Sequence, residues 1–183
     1  MALPFIIVIG FFVSIAIWIE DRGSIFYLAK RRGKNGKIFS MFKFRSMYMN
    51  APDIRNSDNS TYNAPDDPRI TKAGRFLRKT SIDELPQFIN VLIGDMSIIG
   101  PRPVTIDRPL ESYDEKRWTR LKVRPGITGY SQAYFRNSIG NEEKLEKDAW
   151  YAQNISFGCD VRIIIATIKS VLFRKNIYNS SNG

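Results

Sequence analysis

Between Leu3 and Ile19 the chain carries no charged side chain, in the run LPFIIVIGFFVSIAIWI. Nothing else in the sequence limits the fold so strongly, because such a run must be hidden from water by protein or by lipid. As a helix rising about 1.5 Å per residue it extends about 26 Å, just short of a hydrocarbon core about 30 Å thick. No basic segment precedes it and no small-residue cleavage site follows, which argues against a removable signal peptide. Pro4 stands at its start, where it would break or bend a longer helix. Trp18 suits a membrane–water boundary. The expectation is a membrane-inserted segment over residues 1–20, either a marginal span or part of a re-entrant hairpin. A buried core helix is the alternative.

The charge changes abruptly after it. No acidic residue lies between Arg22 and Pro52, while Lys30, Arg31, Arg32, Lys34, Lys37, Lys43 and Arg45 are all cationic. Basic residues beside a membrane segment mark the cytoplasmic side. Near an anionic leaflet each is worth about 1 kcal/mol. Within this stretch Ile25–Leu28 and Lys37–Phe44 pattern as short strands, and Gly33-Lys34-Asn35-Gly36 is a turn signal. A small β-hairpin on a membrane surface is expected.

The chain has 183 residues and a formal charge of +10, from 28 basic and 18 acidic side chains. That length predicts one domain beyond the apolar start, over residues 21–177, with a disordered tail at 178–183. The charge calls for an anionic partner: nucleic acid, anionic lipid or a phosphorylated substrate. Histidine is absent, which excludes imidazole bases, Ser-His-Asp and Cys-His schemes, and zinc sites that need imidazole. One cysteine, Cys159, excludes an internal disulfide and fits a reducing compartment.

The remaining chain reads as mainly helical. Tyr48–Pro68 lacks periodicity and is expected to be a long loop, of the kind that forms mobile lids or stays disordered. Ile70–Lys79 is expected as a helix with Ile70, Ala73, Phe76 and Leu77 inward. Its other face carries Arg69, Lys72, Arg75, Arg78 and Lys79. Leu110–Lys122 is expected as a polar helix with Trp118 and Leu121 inward. Pro125-Gly126 has type II turn order. Glu142–Gln153 is helical. Asp160–Lys175 is an amphipathic helix with Val161, Ile164, Ile165, Ile168 and Leu172 on one face, suited to lie in a membrane interface.

The chemistry concentrates in TSIDELPQFINVLIGDMSIIGPRP, Thr80–Pro103. Leu85, Phe88, Ile89 and Leu92 have the spacing of one helix face, and Gly94 is a stop signal. Ser81 and Glu84 have capping-box spacing, or Asp83 itself is the cap, which Pro86 favours. Either way Asp83 and Glu84 are expected at a helix N-terminus, where partial positive charge gathers. Simple capping is the bland alternative to a chemical role. Arg102 lies between two prolines, and arginine suits bidentate phosphate contact. No dinucleotide fingerprint, Walker A loop or zinc pattern is present, and the aromatics do not interleave with the cations as an RNA platform requires. A carboxylate can attack phosphorus, and a divalent metal with arginines would offset the charge repulsion. Mg²⁺ needs few carboxylates when substrate phosphates help to hold it.

These segments together resemble the bacterial sugar transferases, the monotopic polyprenyl-phosphate phosphoglycosyl transferases. The resemblance rests on KFRSM (Lys43–Met47), LRKTSIDELPQ (Leu77–Gln87), NVLIGDMSIIGPRP (Asn90–Pro103), VRPGITG (Val123–Gly129), Arg136-Asn137, and Asp148 with Tyr151. It implies a mainly helical α+β fold with a re-entrant membrane helix, interfacial amphipathic helices and a small strand element. It implies that a UDP-sugar gives its phosphosugar to an aspartate, releasing UMP, and that polyprenyl (undecaprenyl) phosphate then takes it, as the first membrane step of bacterial glycan assembly. By position Asp83 is the nucleophile and Glu84 its partner, together holding Mg²⁺. Lys43, Arg45, Arg78, Arg102 and Arg136 are the candidate phosphate or nucleotide contacts. The implied partners are a UDP-sugar, undecaprenyl phosphate and anionic lipids, not nucleic acid. The implied location is the cytoplasmic face of the bacterial inner membrane. A homo-oligomer is left open, and a non-catalytic membrane-surface adaptor of the same fold is the alternative function. The chain departs from the family where few residues precede Pro4, where Leu3 stands in place of the usual serine, and where Phe135 replaces a common glycine.

Overall fold

The computed structural model describes residues 2–54, 62, 64, 66–136 and 138–172, with side chains from Ile6 onward. Expectations for Leu3, Pro4, Asn137, Leu172, part of the Tyr48–Pro68 segment and the tail lie outside the described residues or side chains.

The uncharged start forms helix α1, Ala2–Glu20. Ile17 is buried, against a cluster with Phe44 and Leu77 that Val13 also joins. Ile7, Val8, Phe11, Phe12, Ile15, Trp18 and Ile19 stay exposed. The core-helix alternative therefore does not hold. Among the described residues no helix is long and apolar enough to cross a membrane. The end of α1 is tied to the rest of the fold by charge. The Glu20 carboxylate accepts from the Lys72 and Ala73 backbone N–H groups at 2.6 and 2.7 Å. It thereby satisfies the open donors of helix α2, Lys72–Thr80, beside the Thr71 hydroxyl that accepts from Gly74 N.

The expected hairpin is present as β1, Phe26–Arg32, antiparallel to β2, Ile38–Phe44. Its turn uses positive φ at Asn35 and Gly36, the residue types that tolerate it. Opposed pairs Ala29–Met41 and Arg31–Phe39 put Ala29, Met41 and Phe39 into a core cluster with Met96. The outer edge of β2 is closed by a side chain. Asn90 Oδ1 accepts from Phe42 N and Asn90 Nδ2 donates to Ser40 O, both at 2.9 Å.

Asn90 belongs to α3, Gln87–Leu92, and the buried side of that helix is polar. Asn90 and Gln87 are buried, whereas Leu92 is 75% exposed and Ile89 and Ile93 are also exposed. The amide of Asn90 secures the strand edge, so its face turns inward; Ile89, Leu92 and Ile93 point outward, while Val91 packs against the hairpin core. On α2 Leu77 is buried as expected, with Gly74 beside it, whereas Phe76 is exposed.

A second sheet was not expected. β3, Ser97–Ile99, runs parallel to β4, Gly126–Thr128. Pro125-Gly126 thus leads into a strand rather than a type II turn. A Cβ at Gly126 would overlap the backbone of Gly100 and Ile99, so only glycine permits this approach. The Leu110–Lys122 segment is also broken. A short 3₁₀ turn at Leu110–Ser112 precedes α4, Glu115–Leu121, which Asp114 caps by accepting from Arg117 N at 2.8 Å. Trp118 is exposed, and Thr119 and Leu121 are the buried pair. Helices α5, Tyr130–Tyr134, α6, Asn141–Gln153, and α7, Phe157–Leu172, complete the chain. Ile163 and Cys159 of α7 pack on Ala133 and Tyr151. The expected apolar face of α7 is present and points outward, with Val161, Ile164, Ile165 and Ile168 exposed. Among the described residues the fold is mixed α and β, about half helical, with two small sheets.

The long loop is partly anchored. Arg69 pairs with the buried Asp67 at 2.7 Å and donates to the carbonyls of Pro52, Ile54 and Tyr62.

Candidate active site

Helix α2 ends at Thr80, and Ser81 takes a left-handed φ of 59°. A single 3₁₀ turn, Ile82–Glu84, follows, and Pro86 separates it from α3. Pro86 lacks an N–H, so the chain before it tightens rather than extending α3 backwards. Ser81 makes no side-chain cap bond. Asp83 and Glu84 therefore do not cap a helix, contrary to both capping expectations. They occupy a tight turn between two helices.

The turn gives the two carboxylates different surroundings. Asp83 is 9% exposed. Glu84 is half-buried and receives Lys43 Nζ from β2 at 2.7 Å. Burial raises Asp83 to about 6, and the neighbouring Glu84 charge adds to the rise against the opposing effect of Lys43 and Arg78. For Glu84 burial also pushes upward, but Lys43, Arg102 and Arg136 outweigh it and hold it down at about 2. The pair thus holds one firmly ionised carboxylate beside one poised near neutrality.

Four of the five expected cations converge here. Lys43 and Arg78 act on Asp83, and Lys43, Arg102 and Arg136 act on Glu84. Each comes from a different part of the chain. Arg78 closes α2, where its Nε donates to Ser46 Oγ at 2.9 Å. Arg136 follows α5 with a left-handed φ of 49° and donates its N–H to Ser131 O. Arg102 is held through its backbone, its carbonyl accepting from Arg120 Nη2 at 2.6 Å. Arg120 in turn sits 3.1 Å from the buried Asp148, which accepts from Ser131 Oγ at 2.6 Å. Asp148 thereby ties α4, α5 and α6 behind the site. The fifth cation, Arg45, is placed apart. It is buried against Asp21, at 2.7 Å from its carboxylate, and ties the end of α1 to the strand.

Reasoning from sequence did not single out Asn90, Ser46 or Arg120 as supports of this site. All three lie inside or next to the motif segments, but their partners are distant in the chain. The spacing of one element carries no trace of such contacts.

No group of three or more His, Cys, Asp or Glu converges on a common point among the described residues. The donors at the site are two carboxylates, one already paired with Lys43. That set is too small to cage an ion, but it suits Mg²⁺ held jointly with substrate phosphates.

Residues 1–174 match the family described as bacterial sugar transferase. The chain belongs to that family. As a bacterial sugar transferase it is an enzyme that transfers a group. It is 42% identical over 175 residues to the uncharacterized sugar transferase EpsL of Bacillus subtilis, covering 96% of this chain and 83% of that one. It is 44% identical over 161 residues to the galactosyl transferase CpsE of Streptococcus agalactiae, covering 84% and 36%. It is 38% identical over 187 residues to the undecaprenyl-phosphate galactose phosphotransferase of Salmonella typhimurium, covering 94% and 39%. The chain thus spans most of the first relative and little over a third of the other two.

Proposed function

We propose that this bacterial sugar transferase moves a sugar 1-phosphate from a UDP-sugar to a polyprenyl phosphate such as undecaprenyl phosphate. The names of relatives that act on undecaprenyl phosphate support the acceptor class. The observation that carries the chemistry is the buried Asp83, poised near neutrality beside an ionised Glu84 and ringed by Lys43, Arg78, Arg102 and Arg136.

In the first step a carboxylate oxygen of Asp83 attacks the phosphorus that bears the sugar. The bond from that phosphorus to the bridging oxygen breaks, and UMP leaves with the electron pair. In the second step a phosphate oxygen of the lipid attacks the same phosphorus. The acyl–phosphate bond breaks, Asp83 regains its carboxylate, and a polyprenyl diphosphosugar forms. The raised value makes the ionised Asp83 carboxylate a more basic and therefore stronger nucleophile, which attacks once its proton has passed to solvent. The cations neutralise the charge that grows on the transferring phosphoryl oxygens and on the departing UMP. Glu84, held ionised by Lys43, keeps those cations oriented. Asp83 and Glu84 would hold Mg²⁺ together with the diphosphate, where it would neutralise phosphate charge.

The outward apolar residues of α1, α3 and α7 support a membrane-surface location; the proposed side is the cytoplasmic face of the bacterial inner membrane. Those apolar residues bring the turn at Asp83 to a lipid phosphate that cannot leave the bilayer.

Purified protein mixed with Mg²⁺, undecaprenyl phosphate and a panel of UDP-sugars should release UMP with at least one sugar. Asp83→Asn should abolish release while remaining folded. Release by the variant near the wild-type rate would remove Asp83 from the nucleophile role. No release from wild type with any sugar would favour the non-catalytic adaptor.

A further inference from the structure

Arg31 was not among the residues expected at the site, yet the register of the hairpin brings it there. Arg31 opposes Phe39 and Lys43 opposes Tyr27, with the pair Ala29–Met41 between them. Opposed residues share a face, and side chains two apart along a strand share it too. Arg31 and Lys43 therefore lie at the two ends of one hairpin face. The middle of that face is closed by the core residues Ala29, Phe39 and Met41.

The next residue fixes where that end lies. Arg32 N donates to Val104 O at 2.8 Å, and Val104 N donates back to Arg32 O at 3.3 Å. This isolated antiparallel bridge clamps the Pro101-Arg102-Pro103 turn onto the end of β1. Arg31, the neighbour of Arg32, therefore lies next to the segment that carries Arg102, the cation that acts on Glu84, and the Arg102 charge reaches it. The Arg31 guanidinium is pushed below its ordinary value, first by burial and next by the Arg102 charge, with only Tyr27 and Asp107 opposing. Lys144 of α6 is lowered in the same way, by burial and by Arg102.

A half-buried arginine normally answers its desolvation with a carboxylate or carbonyl. The Arg31 backbone pairs with Phe39 across the hairpin, but among the described residues its guanidinium has no hydrogen bond or salt bridge, only the more distant charges of Asp107 and Tyr27. Asp107 acts on Arg31 and Glu84 on Arg102, but the two guanidinium groups have no anion in common among these. A phosphate supplies one, with several acceptor oxygens for planar donors.

We propose that Arg31 is a substrate-binding residue, which with Arg102 grips a phosphate group of the donor nucleotide sugar or of the lipid acceptor. The inference rests on the phosphoryl-transfer reading above and adds a contact to it. The phosphate on Arg31 remains bound as the bond to phosphorus breaks elsewhere, so the residue acts on binding more than on the chemical step.

The test has two arms and one measurement on unaltered protein. In the first arm, KM and kcat for UMP release are compared between wild type, Arg31→Gln and Arg31→Lys, varying the UDP-sugar at saturating lipid. In the second, undecaprenyl phosphate is varied at saturating UDP-sugar. A lost charge-assisted contact predicts that Arg31→Gln raises one of the two KM values by about tenfold or more, with kcat within about threefold. Arg31→Lys should recover part of the loss. The substrate whose KM moves identifies the phosphate. Unchanged KM values in both arms, or an equal fall in kcat with no change in KM, would overturn the proposal. The direct measurement is arginine modification of wild-type protein by phenylglyoxal, located by peptide mass spectrometry. UMP or undecaprenyl phosphate should slow modification at Arg31, and modification unaffected by either would overturn it. This measurement needs no turnover and no variant. A failure of catalysis in wild type therefore reads separately from a failure of Arg31 to bind phosphate.

Discussion

Asp83 and Glu84 are neighbours of nearly the same chemistry, and position alone separates them. Asp83 turns into the protein and rises to about 6, while Glu84 meets Lys43 and falls to about 2. The two therefore affect stability in opposite senses. The folded value of Asp83 lies above its ordinary range, so its ionised form costs stability. That cost is absent below the ordinary value and complete above about 6. Glu84 contributes stability that is present above its ordinary value and lost as pH falls toward about 2. Asp83→Asn should thus stabilise the metal-free protein at pH 8 by up to about 3 kcal/mol, the gap closing below pH about 4. Denaturant unfolding at the two pH values measures this, and a variant no more stable than wild type at pH 8 would contradict the buried placement. Lys43→Met should do the reverse near neutral pH. It removes the partner of Glu84 and should cost about 1–3 kcal/mol, with Asp83 rising further. Carboxyl-resolved NMR titration of the metal-free variant would register that rise.

At the scale of elements, the site depends on short pieces held by side chains rather than by length. α3 has six residues, too few to be stable alone, and Asn90 fixes it to β2. Asn90→Leu keeps the volume but leaves Phe42 N and Ser40 O without their partner. It should cost about 2–4 kcal/mol, and amide exchange should quicken first at Phe42. An unfolding midpoint equal to wild type would show that the strand edge finds other partners. α2 packs just as closely on the segment that follows β2. A Cβ at Gly74 would overlap the Ser46 backbone, so Gly74→Ala should cost about 3 kcal/mol or more. The same change should move Arg78, whose Nε bonds to Ser46 Oγ, and UMP release should fall with it. The hairpin and the α6 helix could be foreseen because strand alternation and helical period are local. The parallel pair β3 and β4 could not. Each strand has three residues, too short for a pattern, and their pairing joins segments that lie far apart in the chain.

For the molecule as a whole, apolar surface is distributed unusually. Large hydrophobic residues stay exposed on α1, α3 and α7, including Phe12, Leu92 and Phe157, which is 85% exposed. Beside a net charge of +10, such faces fit a surface that is both apolar and anionic. The double variant Leu92→Glu with Ile93→Glu should weaken co-sedimentation with anionic phospholipid vesicles by about tenfold. Its unfolding free energy should stay within about 0.5 kcal/mol of wild type, since neither residue is buried. Vesicle binding equal to wild type would take α3 out of the membrane surface.

By itself the sequence determined the apolar start, the basic hairpin, the Asp83-Glu84 pair and the family, because runs, periods and motifs are written in consecutive residues. It also determined that α3 and α7 each have an apolar face, and that the face of α7 suits a membrane interface. Only the tertiary structure decided that Ile89 and Leu92 of α3 point outward, since that depends on which neighbour can satisfy Asn90. Folding likewise decided that the carboxylates sit on a 3₁₀ turn instead of a helix cap, that Arg45 goes to Asp21, and that Arg31 arrives next to the segment that carries Arg102. Each of these follows from a contact between distant segments, where burial and charge are set by the partner and not by the residue.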